Sequence, residues 1–289
     1  MTIDETSQAD ASVSTETVTN PTPPNAREMV LDLLTTHDAH ELPLKALVRA
    51  GNLFGYTDQT VRVALSRLKA DGVIASPARG VHALAAAGAL VREVEGWRRR
   101  EGRLVAWSGA WIGVADAAID RTDRPQLRRH DRALRLRGFR QLTQGVWIRP
   151  DNLAGGTTAL RDDLTQLGLA PLATVFRLDD LAPEDERRAR ALWDAASMDR
   201  TEADLDRLLV LGNAAQDAVE AGEAAPEPVA ADSLAIGRTV IRNLVRDPLL
   251  PDELRPGETR RRLTGGMIAY QLRAKALWIR LLDQWAAGG

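Results

Sequence analysis

The chain has 289 residues and contains no cysteine. Without thiols it forms neither disulfide bonds nor thiolate metal sites, and it has no cysteine nucleophile. Histidine is also scarce. The four histidines show no HExxH motif and no comparable ligand spacing. The sequence therefore predicts no resident metal ion and no cofactor.

Long apolar runs are missing as well. No stretch approaches the roughly 20 consecutive apolar residues that cross a bilayer, and the N-terminus lacks the basic and then apolar layout of a secretion signal. We therefore expect a cytoplasmic protein. The glycine pairs at 155–156 and 265–266 lack the flanking residues of a phosphate-binding loop, and no nucleophile motif occurs. No catalytic residue is predicted, and the protein is not expected to be an enzyme.

Net charge is almost absent, at -2, but the charges are segregated along the chain. Residues 1–25 carry only acidic charges, whereas residues 98–140 are dense in arginine. A low net charge therefore does not exclude a local surface that binds nucleic acid. The length favours two or three compact units rather than one core.

The first helical signals follow a polar tail. Residues 1–24 are rich in Ser, Thr, Asp, Glu and Pro without an apolar period, so they predict a flexible segment. Helical spacing of apolar residues begins near Ala26 and resumes at Pro43, with Gly51 as the predicted stop of the second helix.

A third helix is predicted from the N-cap Thr57 to about Ala70. The segment VIASPARGVHAL (73–84) then places two short strand-like runs around a Pro- and Gly-containing turn, which predicts a β-hairpin. Three helices followed by a hairpin are the order of a winged helix-turn-helix. We assign this DNA-binding domain to residues 25–85.

The side of the third helix opposite its apolar stripe carries side chains that suit base edges. Gln pairs with adenine, Arg with guanine, and Val touches a thymine methyl, while basic side chains of the hairpin reach phosphates or the minor groove. A plain solvated helix face is the alternative interpretation. The predicted DNA-binding residues are Thr57, Gln59, Thr60, Arg62, Val63, Ser66, Arg67, Lys69, Arg79 and His82.

The pattern changes after a linker helix predicted over residues 86–103. The β-α-β-α-β order of residues 104–181 predicts a small ferredoxin-like α/β sandwich. Strand signals vanish over residues 182–289, where helical segments are separated by a predicted exposed loop at 221–230. We expect an all-helical domain there, as the candidate for dimerisation, and an α+β fold overall.

Three segments carry a family resemblance. The first is LKALVRAGNLFGYTDQTVRVALSRLKADGVI (44–74), and the second is Gly138-Phe139 with GVWIRP (145–150). The third runs from Arg246 to Pro256 and is similar to the pattern RDPxLPxELLP. In this order they resemble the PaaX-type transcriptional repressors of aromatic-acid catabolism, over roughly residues 27–288.

The resemblance implies a dimeric repressor of a catabolic operon whose middle domain is Cas2-like. It also implies that operator DNA is released when a coenzyme A thioester binds, typically phenylacetyl-CoA. The chain departs from the family pattern at two places. SPARGVHALAAAG (76–88) is poorer in basic and aromatic residues than the usual wing, and Pro256-Gly257 stands where the family has a tryptophan.

Two residue groups are candidates for binding such an acyl-CoA effector. Arg99 and Arg103 belong to an arginine-rich run that suits phosphates, although a solvated linker end fits the same pattern. Trp107, Trp111 and Trp147 suit an apolar pocket, with core filling of the sandwich as the favoured alternative.

Two other function classes stay open. A Cas2-like fold includes metal-dependent nucleases, in which an aspartate such as Asp116 ligates magnesium, but no second partner stands at a convincing spacing. A winged helix can also bind a protein partner, and it then more often exposes an apolar patch. The polar face predicted above favours DNA.

Overall fold

The computed structural model describes residues 21–86 and 95–288. The described chain is a mixed α+β structure with one three-stranded and one four-stranded antiparallel sheet. Most of the predicted tail at 1–24, and residues 87–94 of the predicted linker helix, lie outside the described residues.

The N-terminal unit contains the three predicted helices and the hairpin. Its elements are α1 (Ala26–Thr36), β1 (Glu41–Pro43), α2 (Leu44–Leu53), α3 (Asp58–Ala70), β2 (Ile74–Ala75) and β3 (Val81–Leu84). The sequence pattern missed β1, which has only three residues and joins the hairpin in the sheet order β1-β3-β2. Thr57 caps α3 as predicted, since its Oγ1 accepts the Thr60 backbone N–H at 3.2 Å.

Gly51 has a different role from the predicted one. It lies inside α2, which continues to Leu53, and a Cβ at this position would meet Val61 Cγ2 at 2.5 Å. The glycine therefore permits the close approach of α2 and α3 rather than ending the helix. The turn that follows is made by Gly55, whose φ of 76° suits glycine.

The linker region contains short turns in its described part. Residues Glu95–Arg99 and Glu101–Arg103 form two 3₁₀ turns instead of the α-helix expected there. Residues 104–110 connect the second turn to the first strand of the central sheet.

The central unit alternates strands and helices. Its elements are β4 (Trp111–Ala115), α4 (Arg124–Leu136), β5 (Arg140–Thr143), β6 (Val146–Pro150), α5 (Gly156–Leu167) and β7 (Thr174–Leu178). The sheet order is β5-β6-β4-β7 with every pair antiparallel, which is the split β-α-β arrangement. Leu134 of α4 and Leu160 of α5 pack with Val114 on one face of this sheet.

The last part is helical within the described residues. It contains α6 (Pro183–Arg190), α7 (Ala195–Glu220), α8 (Pro226–Arg246) and α9 (Glu258–Ala287). The predicted loop at 221–230 is wrong in its second half, because Pro226 begins α8 and Ala230 is fully buried. Proline suits the first turn of a helix, where its missing N–H needs no partner. None of the described helices has both the length and the apolar character of a membrane span.

The N-terminal unit shares a hydrophobic core with α9. Trp278 and Trp285 of α9 are buried in the same cluster as Leu33 of α1 and Leu47 of α2. The ring of Phe54 stacks on Trp278 with centroids 6.5 Å apart. The N-terminal unit is therefore packed firmly onto the last helix.

Electrostatic contacts extend this docking. Arg238 of α8 pairs with Glu28 at 2.8 Å and with Asp32 at 2.6 Å. Lys275 of α9 pairs with Asp38 at 2.7 Å. These pairs link α8 and α9 to the region of α1.

A buried arginine connects the central sheet to the segment that follows α8. Arg149 is 2% exposed; its Nε donates to the Pro150 carbonyl at 3.1 Å and its Nη2 to Asn152 Oδ1 at 2.9 Å. The guanidinium also donates to the carbonyls of Arg137 and Pro248. All four acceptors are neutral. Burial, and then the neighbouring Arg100, lower the pKa of Arg149 to about 9, so the side chain stays charged at neutral pH.

Gly138 lies where the same segment crosses the end of α4. Its φ is 79°, and a Cβ there would lie 2.8 Å from Pro248 Cα. Asn152 Nδ2 holds the next residue by donating to the Leu249 carbonyl at 2.7 Å. The second and third of the segments that carry the family resemblance therefore meet at Pro248.

We expect Gly138→Ala to lower the free energy of unfolding by about 3 kcal/mol, because a left-handed alanine costs roughly 1–2 kcal/mol and the contact with Pro248 adds overpacking. Gly222→Ala is the matched control: its φ is 75°, with no atom within 4 Å of an added Cβ. It should cost about 1 kcal/mol. Urea denaturation of both variants measures the difference, and equal losses would contradict a close contact at Pro248.

Candidate nucleic-acid interface

The outer face of α3 presents polar side chains to solvent. Val61, Ala64, Leu65 and Leu68 are buried against the N-terminal core, and the residues on the opposite side are exposed. Those exposed side chains are Gln59, Arg62, Val63, Ser66 and Arg67. The structure thus brings the five central residues of the predicted reading face together on one helical surface.

Two threonines of the predicted set act at the start of the helix. Thr57 Oγ1 lies 2.9 Å from Thr60 Oγ1 and also accepts the Thr60 N–H. The Thr57 hydroxyl therefore caps α3, and the Thr60 hydroxyl is hydrogen-bonded to that cap.

A groove lies beside this face and was missed from the sequence. It has a volume of about 680 Å³ and runs between α2, the start of α3 and Gly80 of the hairpin turn. Lys45, Arg49 and Asn52 of α2 line it together with Arg62. Lys45 and Arg49 are four residues apart on α2, and this shared helical face was the signal available in the sequence.

Aromatic stacking holds one of these cations in place. The Arg49 guanidinium lies 5.4 Å from the ring centroid of Trp285, on α9. A cation over an indole face within about 6 Å is attracted by the ring. Arg49 thereby links the groove to the last helix.

The hairpin contributes one exposed cation and one partly withdrawn ring. Arg79 is exposed in the turn between β2 and β3, and Lys69 is exposed in the last turn of α3. His82 lies on β3 with its Nδ1 buried, and its pKa is lowered by burial and then by Lys69. Because the lowered pKa disfavours the charged form of the imidazole, His82 is poorly suited to bind a phosphate. Arg79 is therefore the stronger candidate for a phosphate contact from the hairpin.

The predicted effector tryptophans lie on opposite faces of the central sheet. Trp111 packs edge-on to Trp107, with centroids 5.2 Å apart, and stacks on Trp193 at 6.0 Å. Trp147 pairs with Val114 in the sheet and faces the other core. Because side chains alternate along a strand, Trp111 and Val114 point to opposite faces. The structure does not bring the three tryptophans into one pocket.

The arginine run before the sheet is also dispersed. Arg99 is exposed, whereas Arg103 pairs with Asp163 at 3.0 Å. Arg100 donates to the carbonyls of Leu244 and Asp247 at the end of α8, and burial lowers its pKa to about 10. The run therefore ties the turns to a helix C-terminus and does not form a shared phosphate site.

Asp116 follows β4 and belongs to the cluster that most resembles a metal site within the described residues. Ligand atoms of Asp116, His130 and Asp131 lie within 4.8 Å of one another. However, Asp116 Oδ1 accepts from Arg121 at 2.8 Å, and its Oδ2 accepts from Trp147 Nε1 at 3.0 Å. Both carboxylate oxygens are thus occupied by protein donors.

The histidine of this cluster is occupied as well. The Ala170 backbone N–H donates to His130 Nδ1 at 3.3 Å, so the ring proton sits on Nε2, which donates to Asp116 Oδ2 at 3.2 Å. The arrangement is a saturated hydrogen-bond network at the end of the strand. Its geometry favours a structural role over the magnesium site of a nuclease.

Comparison with known proteins finds a family match in the N-terminal part and a similar fold over most of the chain. Residues 25–88 match the family model described as PaaX-like protein, which confirms the resemblance seen in the sequence. The solved structure of the uncharacterized protein Rv0674 from Mycobacterium tuberculosis is similar, with a TM-score of 0.60 and 25% identity over 90% of this chain and 98% of that chain. No curated protein matches the sequence. The family match supports a regulator of transcription.

We expect Asp116→Asn to lower the free energy of unfolding by about 3 kcal/mol, because an amide cannot accept from three donors and leaves buried groups unpaired. Asp131→Asn is the matched control and should change the stability little. Thermal unfolding with and without magnesium checks both. A metal site would instead show stabilisation by magnesium that either substitution removes.

Proposed function

We propose that this chain, whose residues 25–88 match the PaaX-like family, is a sequence-specific DNA-binding regulator of transcription that acts as a homodimer in the cytoplasm. The observation that carries the proposal is the exposed polar face of α3 beside a groove lined by Lys45 and Arg49. Groups that suit base edges and groups that suit phosphates are thus adjacent on one surface.

In this proposal α3 enters the major groove of a duplex. Gln59 and Arg62 are suited to adenine and guanine edges, and Val63, 38% exposed, is suited to a thymine methyl. Ser66 and Arg67 complete the reading face. The cations of α2 and of the hairpin turn contact phosphates, which sets the register of the helix on the DNA.

The proposal also assigns a role to each part of the chain. Residues 25–85 are the winged helix-turn-helix that reads DNA, and residues 104–181 are a Cas2-like scaffold. Residues 182–289 provide dimerisation. The shared core of α9 with the N-terminal unit supports a direct mechanical link between the first and last of these parts.

Repression of a catabolic operon, and release by an aryl- or acyl-CoA effector, are proposed from the family resemblance. Such a ligand weakens DNA binding only if it binds the released geometry more tightly than the DNA-bound one. Titration of a panel of acyl-CoA thioesters into the protein–operator complex tests this part. Displacement by one thioester supports it, and retention of DNA with every thioester would contradict it.

The two alternative functions are less well supported. A protein-binding winged helix is disfavoured because Val63 is the single large apolar side chain among the five residues of the described reading face. A nuclease is disfavoured because both oxygens of Asp116 accept hydrogen bonds from protein donors.

We expect Arg62→Ala to weaken binding to the preferred duplex by about 1–3 kcal/mol and to relax the preference at one base position. The duplex is first selected from random sequences with the full chain, and affinities are then measured by fluorescence anisotropy. Arg188→Ala, at an exposed position of α6, is the control and should bind as the unmodified protein does. Unchanged affinity in Arg62→Ala would refute the proposed docking of α3.

We expect Arg49→Ala to weaken binding to all duplexes alike and to lower the salt dependence by about one unit, because one phosphate contact is lost. Arg49→Lys keeps the charge but not the planar stack on Trp285, and it should retain the salt slope. Affinities between low and moderate salt give both slopes. An unchanged slope in Arg49→Ala would place the groove away from the DNA backbone.

A further inference from the structure

The outward side of α9 carries a line of small and apolar residues. Gly265, Ala269, Leu272 and Ala276 are exposed, and Leu272 is 58% exposed. Ile279, half-buried, continues the line. The spacings alternate between four and three residues, which is the seam of a coiled coil. The inward side of the same helix is already buried against the winged helix and α8.

Opposite charges stand at the two ends of this line. Arg262 precedes Gly265 by three residues, and Asp283 follows Ile279 by four, so both continue the same spacing. Their side chains are 59% and 63% exposed. We call the seven positions from Arg262 to Asp283 the α9 seam; they are Arg262, Gly265, Ala269, Leu272, Ala276, Ile279 and Asp283.

We propose that the α9 seam pairs with the α9 seam of a second copy of this chain, antiparallel, across a two-fold axis at Leu272. The inference rests on the proposed function, because it names the interface of the homodimer proposed there. A two-fold interface places one surface against itself, so the surface must be complementary to its own reverse.

The seam meets this condition at every position. With Leu272 on the axis, Ala269 lies opposite Ala276 of the partner subunit, and the two backbones can approach closely. Gly265 lies opposite Ile279 of the partner subunit, so the space left by the glycine faces the isoleucine side chain. Arg262 lies opposite Asp283 of the partner subunit, and the symmetry repeats this ion pair at the other end.

The charged ends are available for that pairing. Arg262 lies 3.6 Å from Asp206, and Asp283 lies 3.2 Å from the half-buried His37 ring; the side chains of Arg262 and Asp283 are themselves exposed. Exposed pairs of this kind contribute little to stability, so exchanging them for an intersubunit pair costs little. Burial of Leu272 then supplies the apolar gain.

The geometry also suits two reading heads. The winged helix docks on residues 277–285 of α9, beyond the seam's centre. In the antiparallel pair these two docking regions lie about 26 Å apart along the helix, from a rise of 1.5 Å per residue. The α3 helix packs on α1 and α2, and α2 in turn packs on α9. Successive half-sites on DNA are roughly 34 Å apart, a separation of the same order.

The first test replaces the residue on the axis. We expect Leu272→Glu to raise the dissociation constant of the dimer at least about 30-fold, as for a central interface residue. Leu211→Glu on α7 is the matched control, since Leu211 is 67% exposed and lies outside the seam. Sedimentation equilibrium of the full chains measures both. A monomeric unmodified chain, or a Leu272→Glu variant that dimerises as tightly as the control, would overturn the proposal.

The second test uses the natural absence of cysteine. Leu272→Cys is the sole thiol of that variant, and near a two-fold axis it meets its own copy within disulfide distance. Mild oxidation should yield a covalent dimer from Leu272→Cys and none from Leu211→Cys. Equal cross-linking of the two variants would speak against the register.

The charged residues at the two ends of the α9 seam provide a third, independent test. Arg262→Asp and Asp283→Arg should each weaken the dimer, and the double variant should restore it because the pair is reversed at both ends. Failure of the double variant to recover would overturn the pairing of these two residues.

Measurements of DNA binding distinguish a failure of the α9 seam from a failure of the proposed function. Arg62→Ala should remain a dimer while losing operator affinity, and Leu272→Glu should lose cooperative binding to a two-site operator while still binding a single half-site. A dimer that depends on Leu272 in a chain that binds no DNA would support the seam and reject the regulator. An operator-binding chain that is indifferent to Leu272 would reject the seam alone.

Discussion

The structure depends on the burial of one charged side chain, Arg149, among carbonyl groups. A guanidinium removed from water is tolerated only if its donors are satisfied, and here the acceptors come from both sides of a junction between the sheet and the segment after α8. The carbonyl of Arg137 lies at a helix C-terminus, where the negative end of the helix dipole favours a cation. Displacement of Pro248 would remove one of the four hydrogen-bond acceptors of this buried guanidinium. The need to keep that acceptor favours a fixed geometry at the junction.

This junction and the core that α9 shares with the N-terminal unit form a continuous set of packed contacts from the sheet to that unit. Arg100 ties the turns before the sheet to the end of α8, and Arg238 ties α8 to α1. Trp285 packs with the N-terminal core on one side and carries Arg49 over its ring. The sheet and α3 are thus connected through packed elements of the described chain.

Periodicity in the sequence predicted which face of α3 is buried and the order of strands and helices in the central sheet, because apolar spacing directly reflects a single buried side. It did not predict what each side packs against. The three-residue strand β1 is too short to show alternation, and Gly51 resembled a helix stop because its close approach to Val61 is a tertiary contact. For the same reason a shared pocket for Trp111 and Trp147 stayed open beside the favoured interpretation of core filling, whereas alternation in the sheet and its register send them to opposite cores.

Two sides of the last helix have a fixed rotational relation to each other. The indoles of Trp278 and Trp285 point toward the N-terminal unit, and Leu272 points outward. Each residue of an α-helix turns the chain by about 100°, so one inserted residue between Leu272 and Leu277 would rotate one surface by more than a quarter turn relative to the other. Seven inserted residues would nearly restore the phase but lengthen the helix by about 10 Å. The number of residues between Leu272 and Leu277 is therefore constrained independently of their chemical identity.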